Sequence, residues 1–87
     1  MLFANGQQKM LQGMTASQCR AARALLDWTQ PDLVAASGLG LSTVVDFERS
    51  RRPVSDEAVA AIRAALERAG VEFTNGKQPG VRLKAGG

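Results

Sequence analysis

The chain has 87 residues, of which 45% are hydrophobic and 22% charged, so it is one small domain of ordinary globular composition. That excludes a two-domain enzyme cleft, disorder throughout and a membrane span. A balance of 11 Lys and Arg against 8 Asp and Glu gives a net charge of +3, which suits a polyanionic partner, while the lack of any His or Tyr argues against catalysis and against a bound metal or cofactor.

Residues 1–14 show neither a signal peptide's apolar run nor a regular period. They read as a loosely ordered arm, with Met14 as an alternative start. Thr15 and Gln18 form a capping box ahead of Cys19, Ala22, Leu25 and Leu26, which predicts a first helix from about Ala16 to Asp27. Cys19, without a second cysteine, reads as a small buried hydrophobe in a reducing, cytoplasmic setting. Thr29, Pro31 and Asp32 announce a second helix running to about Ser37. After Gly38-Leu39-Gly40, a third runs from Leu41 to Arg49, with Val44 and Phe47 on one face.

Pro53 marks Ser50 to Val54 as a loop, and Ser55-Asp56-Glu57 caps a fourth helix that carries Val59, Ile62, Leu66 and Ala69 and stops at Gly70. Two short strands, Val71 to Thr74 and Val81 to Leu83, flank the turn-rich Asn75 to Gly80. The domain plan is therefore a helical body over 15–70, a β extension over 71–84 and a frayed tail over 85–87. Two isolated strands are barely stable, so Val71, Phe73, Val81 and Leu83 should either pack on the fourth helix or meet a second subunit.

The most informative stretch is Gln30 to Ser50, two short helices tied by Leu33, Leu39, Val44 and Phe47 around a turn at Gly38. These offsets, with Ser42-Thr43-Val44-Val45-Asp46-Phe47-Glu48-Arg49-Ser50 and Arg23, resemble the Cro and phage-repressor (xenobiotic-response-element) helix-turn-helix family over about Thr15 to Ala69. The strand-forming end is similar to that of small bacterial regulators of this type. Val34 and Gly40 depart from the family's usual small residue and side-chain cap, which bears on fine geometry rather than on the fold.

The resemblance implies an all-α, lambda-repressor-like bundle of four to five helices with a short β-hairpin. It also implies a DNA-binding transcriptional regulator, a repressor in the first instance, that binds an inverted-repeat operator as a homodimer. The third helix would enter the major groove with Leu41, Ser42, Thr43 and Asp46 toward the bases. Asp46 would either accept from cytosine or orient Arg49 or another neighbour. Arg49, Arg51 and Arg52, with Gln30 at the start of the second helix, would hold phosphates, and Arg23 with Glu48 would form a structural ion pair. The competing function is a protein-interaction module or an antitoxin-type subunit, whose partner would be a regulatory protein rather than double-stranded DNA.

Overall fold

A computed structural model describes residues 14–74 and 79–84. The expected arm over 1–13, the centre of the turn at 75–78 and the tail at 85–87 lie outside the described residues. Among the described residues, four helices are followed by a two-stranded antiparallel sheet: α1 Ala16–Leu26, α2 Gln30–Ser37, α3 Leu41–Glu48, α4 Asp56–Arg68, β1 Val71–Thr74 and β2 Gly80–Leu83. No helix among the described residues is long and apolar enough to cross a membrane.

Local chemistry sets the helix starts. Thr15 Oγ1 accepts from Gln18 N at 3.0 Å while Gln18 Oε1 accepts from Thr15 N at 2.9 Å, and Thr29 with Asp32 repeats this reciprocal cap on α2. Ser55 caps α4 by accepting from Ala58 N, with Asp56 and Glu57 at the positive end of the helix. Gly38 ends α2 at φ 77°, a left-handed conformation that side chains resist, and its N–H returns to the Val34 carbonyl at 2.9 Å. Among the described residues, two that are not glycine adopt the same conformation, Asp27 after α1 and Ser50 after α3. Each closes its helix with a pair of main-chain bonds; after α3 these run from Ser50 N to Phe47 O and from Arg51 N to Asp46 O.

The core lies between the helices and the sheet. Cys19 and Ala22 of α1, Leu33 of α2, Val44 of α3, Ile62, Ala65 and Leu66 of α4, and Val71 of β1 are all buried. Met14 belongs to this core, so the expected arm cannot extend through position 14. Leu25, expected in the apolar stripe of α1, is exposed, because the inward face runs through Gln18, Cys19 and Ala22, with half-buried Leu26 packed against the core. On α4 the buried stripe is Ala58, Ile62, Ala65 and Leu66; Val59 and Ala69 lie at its margin, half-buried.

In the sheet, Val71 pairs with Leu83 and Phe73 with Val81. Directly opposed residues share a face, so these four side chains lie together, while Glu72 and Arg82 form an ion pair on the other face at 2.7 Å. The apolar face turns onto the chain's own helices: Val71 is fully buried, and Phe73 and Val81 are half-buried against the core. This corrects the subunit-contact alternative for Val71, which has no surface to offer a partner. Only Leu83, 46% exposed, stands clear. Gln18 Nε2 fixes the sheet to α1 by donating to Thr74 O at 3.2 Å and Gly80 O at 3.0 Å.

Candidate nucleic-acid interface

The third helix has an anchored face and an open one. Val44 and Glu48, four residues apart, point inward and are buried, and Phe47 packs beside them. Glu48 is a carboxylate only 1% exposed, and such burial is tolerable only with donors on its oxygens. It has four. Arg23 Nε and the Cys19 thiol donate to Oε2 at 2.7 and 3.1 Å; Arg23 Nη2 and Gln30 Nε2 donate to Oε1, both at 2.9 Å. The expected Arg23–Glu48 pair is thus present and bidentate.

Arg23 Nη1 also donates to Trp28 O at 3.0 Å, and Arg20 Nη1 donates to the main-chain carbonyl of Glu48. A single carboxylate therefore ties α3 to two helices, α1 and α2. Burial by itself pushes the Glu48 pKa up, but the donors from Arg23, Gln30 and Cys19, with the charge of Arg23, outweigh it and hold the carboxyl below its ordinary value. The Cys19 thiol is pushed well above the usual thiol range, first by burial and then by its bond to Glu48, so it stays protonated and donates.

Two side chains have a second use here. Gln30 stands at the start of α2, where main-chain amides are the groups expected to hold a phosphate, and its side-chain amide is spent on Glu48. Cys19 is buried as expected, but it also serves as a hydrogen-bond donor. Neither role carries a motif, because both depend on which helices meet at Glu48.

The open face carries the residues expected to meet bases. Leu41 is 49% exposed, Ser42 is exposed, and Thr43 and Val45 are half-buried at the flanks. Gly40 gives α3 no side-chain cap, so nothing but main chain precedes Leu41 at that end. Asp46 does not stand free as an acceptor for a base: its Oδ2 receives Arg52 Nε at 2.6 Å. Its partner is Arg52 and not Arg49, because the Ser50 reversal folds the following loop back along α3.

On either side of that reversal, Arg49, Arg51 and Arg52 are exposed. Arg82 is engaged by Glu72, and Lys84 is exposed at the far end of the hairpin, whereas Lys9 and Lys77 lie outside the described residues. Arg68 at the end of α4 donates to Ala36 O at 3.1 Å, so it braces α2 from behind. Among the described residues, the cationic surface next to α3 is therefore the arginine loop, in which Arg52 is paired with Asp46.

No protein-family model matches the chain, and a comparison with curated proteins finds no match. What this surface binds has to be read from its residues.

Proposed function

We propose that the chain is a sequence-specific DNA-binding regulator of transcription with the lambda-repressor-like helix-turn-helix fold of the Cro and phage-repressor family. One observation carries the reading: α3 is locked inward by Val44 and Glu48 while Leu41 and Ser42 project to solvent beside the exposed Arg49, Arg51 and Arg52. A helix held rigidly by one face and open on the other, next to a cationic loop, has what groove recognition requires. The arginines supply sequence-independent attraction to phosphates, and the open face of α3 supplies the selection among bases.

One such domain reads few base pairs, so the acting species is a homodimer on two inverted half-sites spaced by about one helical turn, ~34 Å. Occupancy of such an operator represses by excluding polymerase. The test is selection from randomised duplexes, followed by affinity measurement across salt concentrations. A palindromic site preferred about 1,000-fold over a scrambled duplex supports the reading. Arg51→Ala then lowers the salt slope by about 0.9 per subunit. Weak, sequence-blind binding that vanishes at physiological salt refutes it in favour of a protein-interaction module.

A further inference from the structure

Asp46 sits on the outward side of α3, where a carboxylate should repel phosphates, yet its side chain is only 13% exposed. Its carboxylate accepts from Arg52, itself 66% exposed, through the single bond from Nε to Oδ2. The same residue also accepts Arg51 N on its main-chain oxygen at 3.0 Å, so both ends of Asp46 grip the loop that carries the arginines. With Nε spent, the two Nη groups of Arg52 have no other partner among the described residues. The guanidinium is planar, so a bond at Nε restricts the directions open to the remaining donor edge.

We infer that Asp46 is a positioning residue for DNA recognition: it aims the Nη edge of Arg52 at a pair of coplanar acceptors on the duplex, and so raises discrimination between operator and random DNA. This rests on the DNA-binding reading above. Two sources offer such acceptors, the non-bridging oxygens of a phosphate and the O6 and N7 atoms of a guanine, and both are met by a bidentate arginine. An arginine without Asp46 would still attract phosphates, but it would lose its fixed direction. Neutralising Asp46 should therefore affect specific and random DNA in opposite directions, which simple relief of repulsion cannot do.

The experiment compares Asp46→Asn and Arg52→Lys with the parent on the selected duplex and on a scrambled one. In Asp46→Asn, affinity for the selected duplex falls about 10-fold. Affinity for the scrambled duplex rises, because one negative charge fewer faces the phosphates. Arg52→Lys keeps the charge but not the fork, so it loses the selected duplex to a similar extent while its salt slope is unchanged.

Replacing guanines singly by 7-deazaguanine, and phosphates singly by methylphosphonate, then locates the acceptor: one substitution weakens the parent and leaves Arg52→Lys unaffected. A parallel rise of Asp46→Asn affinity on both duplexes overturns the inference and leaves the regulator reading intact, as does the absence of any substitution to which only the parent responds. If the parent selects no sequence at all, the regulator reading falls and takes the inference with it.

Discussion

Replacing Arg23 by Ala removes two of the four donors on Glu48 and the positive charge that faces it, leaving a carboxylate 1% exposed with only Gln30 and Cys19. Stranding a buried charge in this way costs about 3–5 kcal/mol, against a total stability of roughly 4–13 kcal/mol for a chain of this size. The reverse change is milder. Arg23 is 20% exposed, so in Glu48→Gln its guanidinium can hydrate, and the loss is about 1–2 kcal/mol. The double variant Arg23→Ala with Glu48→Gln should be more stable than Arg23→Ala alone, since no buried charge remains to be solvated. Urea denaturation at pH 7 measures all four proteins.

The dependence on pH separates this account from simple loss of packing. In the parent, the Glu48 pKa is held below its unfolded value, so its contribution is complete above the unfolded pKa and is lost as pH falls through the folded one. In Arg23→Ala burial dominates, the folded pKa lies above the unfolded one, and the native state gains a proton that relieves it as pH falls. The stability difference between parent and variant must therefore shrink from pH 7 toward pH 4.5. A difference that stays constant over that range, or equal losses in Arg23→Ala and Glu48→Gln, would refute the reasoning.

Gln18→Glu keeps an oxygen for the α1 cap but replaces the amide donor that holds the Thr74 and Gly80 carbonyls. It should cost about 2 kcal/mol, and amide hydrogen exchange should show the sheet opening before α4. Ser50→Gly relieves a left-handed side-chain-bearing residue at φ 54° and should raise stability by about 0.5–1 kcal/mol in the same urea titration. Leu41→Ala alters a half-exposed residue and should leave the urea midpoint in place. In the DNA-binding reading, the parent loses about 3–4-fold in affinity when the thymine under Leu41 is replaced by uracil, the worth of one methyl group, whereas the variant does not respond.

The helices were legible because their signals are local: the caps at Thr15, Thr29 and Ser55, the turn at Gly38 and the stop at Gly70 each act within a few residues of themselves. What could not be read is the second use of a side chain that already had a first. Gln18 has a carbonyl end that caps its own helix and an amide end that reaches the sheet, and the capping box reveals only the former. Cys19 fits an apolar stripe, so its thiol donor is noticed only once Glu48 lies 3.1 Å away. The loop after α3 was readable as a loop from Pro53, but the reversal at Ser50 that brings Arg52 rather than Arg49 onto Asp46 was not, because serine carries no strong signal for a left-handed conformation.

These hidden uses are concentrated around α3. Its inward face is fixed by donors from α1 and α2, and its outward face is partly covered by its own following loop. With eight residues and no side-chain cap, α3 is too short to be stable by itself, so its position is dictated by those hydrogen bonds together with the packing of Val44 and Phe47 on the core. In the DNA-binding reading, changes at Arg23 or Gln30, which hold the inward face, should therefore alter selectivity by tilting α3, whereas changes at Arg51 should alter affinity for all duplexes alike.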